Sequence, residues 1–197
     1  MKRIGIFGGT FDPVHNGHLI MAENVKEQVH LDKVLFIPSK NPPLKNDRVI
    51  TPTEHRLNML KLAVEDNAAF EISEIELKSD SGEPSFTVDT LMKLRKEYTG
   101  GQVKFYLILG MDQLINLHKW KDPGKLFLLS EVVVINRPGY LIQQVENDYG
   151  RQSIYVPVPN IEISATDIRF RIQEKRTIKY LVPAKVEEYI YNNKLYI

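Results

Sequence analysis

Short runs of β-branched and aromatic residues recur along the chain, at Arg3 to Phe7, Lys33 to Ile37, Phe70 to Leu77, Val103 to Leu109, Glu131 to Ile135 and Ile154 to Val158. Their nearly unbroken apolar character predicts strands covered on both faces rather than strands with one wet side. Between them apolar positions return at helical spacing, as in Leu19, Ala22, Val25 and Val29 and again in Leu57, Leu60 and Val64, which predicts helices with one buried face. Thr51-Pro52-Thr53-Glu54 reads as the start of the second helix, with a hydroxyl at the N-cap, proline in the first turn and glutamate three residues on. A third helix is predicted from near Thr87 to Tyr98, stopping at Gly100-Gly101, and a last one from Pro183 toward Asn193. Strand and helix therefore alternate, which predicts an α/β fold: a doubly wound, mainly parallel sheet with helices on both faces and ligands at the carboxyl ends of the strands. Ser39 to Thr51 and Ser79 to Ser85 are the polar loops expected to move on ligand binding.

The chain has 197 residues, 43% hydrophobic and 26% charged, which suits a single domain over 1–197 with a small helical portion from about residue 164. With 26 basic and 25 acidic residues the formal charge is +1, so no global field attracts nucleic acid or an anionic membrane. Any anion site must be local. The absence of cysteine excludes disulfides, thiolate metal sites and a cysteine nucleophile, and is compatible with a reducing compartment. No signal-peptide pattern opens the chain, and no segment approaches the roughly 20 apolar residues that span a bilayer. The expectation is a soluble, cytoplasmic protein, with room for a homo-oligomer.

GGTFDPVHNGH, from Gly8 to His18, follows the first predicted strand. Glycines there permit a tight turn or let a ligand approach the backbone; the pair alone implies only the turn. No Gly-Lys-Ser/Thr follows, so this is not a Walker loop, and it is not the dinucleotide GxGxxG pattern. His15 and His18, three apart, share one face at a helix N-terminus. Two imidazoles beside a glycine turn, at the positive end of a helix, suit a phosphate chain. A metal reading would add Asp12, but the spacing lacks the i, i+4 histidine pair of zincins, and no metal ligand is assigned. Near the C-terminus, ISATDIR (Ile163 to Arg169) offers Ser164 or Thr166 as cap of a helix beginning near Thr166, with Arg169 in its first turn. By themselves Thr87 and Asp112 are equally readable as helix caps, and Trp120 as a core residue.

Taken together, HNGH and ISATDIR resemble, in order and distance, the two phosphate motifs of the small HxGH nucleotidylyltransferases, relatives of the class I aminoacyl-tRNA synthetase core. The resemblance implies a Rossmann-like fold in which Gly8, Gly9, Thr10, Phe11, Gly17, Ser164 and Thr166 bind ATP. His15, His18, Lys45 and Arg169 would serve the transfer itself. Family members often carry histidine before the basic residue of NPPLK, Asn41 to Lys45, where this chain has Leu44. PSFTVDT (Pro84 to Thr90), LGMDQL (Leu109 to Leu114), LHKW (Leu117 to Trp120) and NRPG (Asn136 to Gly139) are similar to segments of the nicotinic acid mononucleotide adenylyltransferases. That likeness implies a mononucleotide site of Thr87, Gly110, Asp112, Trp120 and Arg137. Asp112 would contact a ribose, Trp120 would stack on the pyridine, and Thr87 with backbone amides would meet the nicotinate carboxylate. Magnesium is implied with ATP, held by phosphate oxygens and water rather than a protein cage. The rivals are a pantetheine phosphate enzyme, whose first motif commonly has threonine where His15 stands, an enzyme for the amidated mononucleotide, and a noncatalytic adenine-nucleotide sensor.

Overall fold

The computed structural model describes residues 1–42, 50–78, 84–99, 102–136 and 148–197, and not the side chain of Asp148. Six strands pair in parallel throughout: β1 (Lys2–Gly9), β2 (Lys33–Pro38), β3 (Phe70–Ile72), β4 (Val103–Gly110), β5 (Glu131–Ile135) and β6 (Ile154–Val156). Their order across the sheet is β3-β2-β1-β4-β5-β6, the doubly wound order whose direction of winding reverses between β1 and β4. The helices are α1 (Asn16–Gln28), α2 (Thr53–Val64), α3 (Thr87–Glu97), α4 (Met111–Ile115), α5 (Pro123–Leu129), α6 (Asp148–Arg151), α7 (Ala165–Gln173) and α8 (Ala184–Asn192).

Successive strand residues face opposite sides, and the sheet divides the core accordingly. Tyr106 and Ile108 of β4 join one cluster with residues of α1, α2, α7 and α8. Phe105, Leu107 and Leu109 join the other with α3, α4 and α5. The unbroken apolar runs are thus explained: both faces of the central strands are dry.

Three boundaries differ from the sequence reading. The strand expected over Phe70 to Leu77 ends at Ile72, because at the sheet edge it has only β2 to pair with. The chain then turns, Leu77 and Lys78 donating to the Glu74 carbonyl, which carries Ile75 into the α3-side cluster. The strand expected to reach Val158 ends at Val156; the Val158 amide donates instead to the Asn136 side chain at 2.6 Å. Helix α2 starts at Thr53 with Pro52 at its N-cap and no side-chain cap, not at a Thr51 cap. The Thr51 carbonyl and Thr53 hydroxyl are both taken by Arg56. The Gly100-Gly101 stop lies outside the described residues. Among those described, no helix is long and apolar enough to cross a membrane.

Candidate active site

At the winding reversal a cavity of about 860 Å³ opens above the ends of β1 and β4, where doubly wound folds bind ligands. The turn out of β1 forms its floor. A side chain at Gly8 would meet nothing within 4 Å, so its bare backbone faces open space that a ligand can enter. Phe11 holds the left-handed backbone conformation (φ 50), unusual for a bulky residue. Its ring packs edge-on at 5.1 Å from His18 and 6.0 Å from Phe7.

His15 is the N-cap residue of α1. Its backbone N–H donates to His18 Nδ1 at 3.2 Å, and the two rings stack with centroids 3.7 Å apart. Because Nδ1 of His18 accepts, the proton of the neutral ring sits on Nε2. Gly17 does not line the cavity. A Cβ there would stand 3.0 Å from His15 Nδ1, so the glycine leaves room for the His15 ring.

Across the cavity, Ser164 caps α7 by accepting from the Asp167 amide at 3.1 Å. That settles which of Ser164 and Thr166 is the cap. Arg169 reaches back to the β1 turn: Nη1 donates to the Asp12 carbonyl at 2.6 Å and Nη2 to Thr166 Oγ1 at 3.1 Å. The two sequence motifs, 157 residues apart at this hydrogen bond, thus meet in one wall.

Gly110, Asp112, Thr87 and Trp120 line the other end. Neither Thr87 nor Asp112 is a helix cap; Phe86 and Gly110 hold those positions. Trp120 is half-buried at the cavity wall, packed against the α3-side cluster by part of its surface. Lys45 and Arg137 lie outside the described residues.

Two contributors were not read from the sequence. Arg56, 1% exposed, donates to the carbonyls of Thr10 (2.8 Å), Ser39 (2.9 Å) and Thr51 (3.0 Å) and to Thr53 Oγ1 (3.0 Å). It ties the β1 turn to the end of β2 and the start of α2. Burial pushes its pKa down, while Asp12 and Tyr196 oppose that, and the guanidinium stays charged. The available signal was an arginine in the buried stripe Arg56, Met59, Leu60, Val64. Glu76 also lines the cavity, accepting from Thr90 Oγ1 at 2.7 Å; burial raises its pKa above the usual carboxylate range. Among the described residues, no three acidic or histidine side chains converge on a metal-sized site.

A family model described as cytidylyltransferase-like matches residues 6–171. A protein of Thermomicrobium roseum named "Probable nicotinate-nucleotide adenylyltransferase" is 45% identical, the match covering 100% of this chain and 92% of that one. The nicotinate-nucleotide adenylyltransferase of Bacillus subtilis is 41% identical, over 100% and 99% of the two chains. Among solved structures, Plasmodium falciparum nicotinic acid mononucleotide adenylyltransferase superposes with a TM-score of 0.80 when complexed with APC, at 20% identity over 100% of this chain and 98% of that one. Complexed with NaAD it gives 0.79 at 22% identity, with the same coverage. At such identity the likeness speaks for the fold.

Proposed function

From the premise that this chain belongs to the cytidylyltransferase-like family and, within it, to the nicotinate-nucleotide adenylyltransferases, we propose the following reading of the cavity. The protein transfers the adenylyl group of ATP to nicotinic acid mononucleotide, giving nicotinic acid adenine dinucleotide and pyrophosphate, a step of NAD biosynthesis. The observation that carries the reading is one continuous cavity lined by His15, His18 and Arg169 at one end and by Thr87, Asp112 and Trp120 at the other. Its volume of about 860 Å³ is near the top of the range for small-molecule sites, roughly 300–1,000 Å³.

The mononucleotide phosphate oxygen attacks the α phosphorus in line, a P–O bond forms, and the bond to the β phosphate breaks as pyrophosphate leaves. No covalent enzyme intermediate is needed, so the residues position reactants and stabilise charge. The Nε2–H of His18 donates to a phosphoryl oxygen as charge develops, and His15, stacked on it, holds it in place. Arg169 and Thr166 hold the leaving phosphates, while Gly8 and Gly9 let the triphosphate approach the backbone. Lys45 adds positive charge to the triphosphate, and Arg137 joins the mononucleotide site. Asp112 takes the ribose, and Trp120 stacks on the pyridine. In this reading residues 1–197 act as one unit, its C-terminal helices from about Ser164 completing the site.

ATP chemistry brings a divalent cation, which we take to be magnesium. Asp12 and Glu76 along the cavity already accept from the hydroxyls of Tyr196 and Thr90, which suits an ion carried in by phosphate oxygens and water. When bound, it neutralises charge on the departing pyrophosphate.

The test is pyrophosphate release from ATP and magnesium with nicotinic acid mononucleotide, nicotinamide mononucleotide or phosphopantetheine offered in turn. The acid mononucleotide is expected to give the highest kcat/KM. A faster reaction with phosphopantetheine would overturn the assignment of acceptor, and binding of ATP without pyrophosphate from any acceptor would leave a nucleotide sensor.

A further inference from the structure

The end of the chain reaches the beginning of the site. Helix α8 packs on α2, where the Tyr189 hydroxyl meets His55 Nδ1 at 2.9 Å and accepts from Asn58 Nδ2 at 3.1 Å. Beyond α8 the chain turns back on itself, Leu195 N donating to the Ile190 carbonyl at 3.0 Å. Lys194 and Tyr196 take the left-handed backbone conformation, with φ of 50 and 67, which non-glycine residues adopt sparingly. That turn sets Leu195 and Tyr196 against the α1-side cluster and delivers the Tyr196 hydroxyl to Asp12 Oδ1 at 2.8 Å, across 184 residues of sequence. Tyr196 also hydrogen-bonds the Thr51 side chain at the start of α2.

Asp12 is 2% exposed. Its backbone carbonyl is the acceptor for Arg169 Nη1, so whatever fixes Asp12 fixes where that guanidinium is anchored. We propose that Tyr196 is a positioning residue for the transfer reaction: through Asp12 it sets Arg169 at the phosphate end, so that the last turn of the chain completes the site. The proposal rests on the reading of Arg169 as a phosphate ligand. Burial and the neighbouring Asp12 carboxylate push the Tyr196 hydroxyl far above its ordinary range, so it remains a donor at neutral pH. Arg56, by contrast, grips the nearby Thr10 carbonyl from the α2 side, whereas Tyr196 donates to the Asp12 carboxylate itself.

The experiment compares Tyr196→Phe, Tyr196→Ala and the surface control Tyr191→Phe in the full-length chain. It measures melting temperature, kcat and KM for each substrate separately, and ATP affinity by calorimetry. Tyr196→Phe keeps the ring but removes a donor from the buried Asp12 carboxylate, so it is expected to stay folded and to melt a few degrees below the wild type. It should nonetheless lose about tenfold in kcat/KM for ATP, the scale of one hydrogen bond to a charged group. The mononucleotide KM should move less than about twofold, since distant sites act independently. Tyr196→Ala should be no more active than Tyr196→Phe with respect to ATP, and Tyr191→Phe should match the wild type. On an Arg169→Lys background the further loss from Tyr196→Phe should shrink below about threefold, because the two changes share one partner. Wild-type ATP kinetics in Tyr196→Phe would overturn the proposal, as would a loss falling equally on both substrates or an undiminished loss on the Arg169→Lys background. ATP affinity needs no turnover, so it decides the matter even for a chain that releases no pyrophosphate: an affinity lowered in Tyr196→Phe upholds the proposal, and an unchanged one overturns it.

Discussion

At the end of the cavity proposed to take the phosphates, His15 is 5% exposed, Asp12 2% and Arg56 1%. At the other end Trp120 is half-buried between the exposed Lys119 and Lys121, and Lys121 pairs with Asp89 at 2.8 Å across the surface. The first end is cross-linked by hydrogen bonds from distant segments: Arg56 from α2, Arg169 from α7 and Tyr196 from the tail all converge on Thr10 and Asp12. At the second the bonds span less of the sequence: Asn116 Nδ2 donates to the Asp112 carbonyl four residues away at 2.9 Å, Thr90 Oγ1 to Glu76 fourteen away, and Lys121 pairs with Asp89 thirty-two away. The contrast fits the chemistry that the proposed function gives each end. A group that meets developing charge must be fixed before the reaction, since reorganising it during the reaction would forfeit the gain. On the proposed reading the other end recognises a flat ring, which needs area and shape such as a half-buried tryptophan can supply.

The contrast is broken most severely at His18. His18→Ala is expected to lower kcat by on the order of 100-fold or more, with a smaller change in mononucleotide affinity; stopped-flow or coupled pyrophosphate assays measure the first and calorimetry the second. Near-normal turnover would remove His18 from the transfer step.

Next in size is the clamp beneath the turn. Arg56→Met fills similar space but leaves the carbonyls of Thr10, Ser39 and Thr51 without their donor. At about 1–3 kcal/mol for a buried group left unsatisfied, which applies in full to the Thr10 carbonyl and less to the half-buried Ser39 and Thr51, the loss should be about 2 kcal/mol or more in urea unfolding. A variant as stable as the wild type would show that the turn holds itself.

Trp120→Ala tests the looser end. Loss of an aromatic stack worth about 0.5–1.5 kcal/mol should raise the mononucleotide KM up to about tenfold while leaving the ATP KM nearly unchanged. Trp120→Phe should recover part of the loss. The chain has one tryptophan, so its emission, excited at the red edge, should respond to saturating mononucleotide; an unmoved signal with normal binding in Trp120→Ala would make it a core residue.

Glu76 gives the smallest effect. Its pKa is raised by burial, so the folded state binds this proton more tightly than the unfolded chain does. Stability from this group is therefore present at low pH and is lost as pH rises from the ordinary carboxylate pKa through the raised one. Glu76→Gln keeps an acceptor for Thr90 and should flatten that part of the stability–pH curve, measured by thermal melts between acid and neutral pH. A curve unchanged in slope would mean that the folded and unfolded pKa values are equal.

The parallel sheet was legible because central strands buried on both faces write themselves as unbroken apolar runs. The two-histidine turn and a cap at Ser164 or Thr166 were legible because spacing within one helix is local; which of the two hydroxyls caps α7 was not. Arg56 escaped because a single arginine in an apolar stripe reads as an exception until its acceptors, carbonyls carrying no side-chain signature, are brought to it by folding. The shortened β3 escaped for a related reason: Ile75 and Leu77 are apolar, yet strand length is set by how far the neighbouring β2 can pair. The room that Gly17 leaves for the His15 ring was not legible either, because it depends on where that ring lies after folding.

The hydrogen bond between Tyr196 and Asp12 orders events during synthesis. Synthesis runs from the N-terminal side, so the ribosome makes the turn after β1 long before Tyr196, 184 residues further on, which fastens it. A nascent chain carrying His15, His18 and Arg169 would still lack that fastening until Tyr196 has been added. Ile197 beyond it is 82% exposed, so a peptide fused after residue 197 would run into solvent. Clipping two residues from the same end would instead remove the fastening itself.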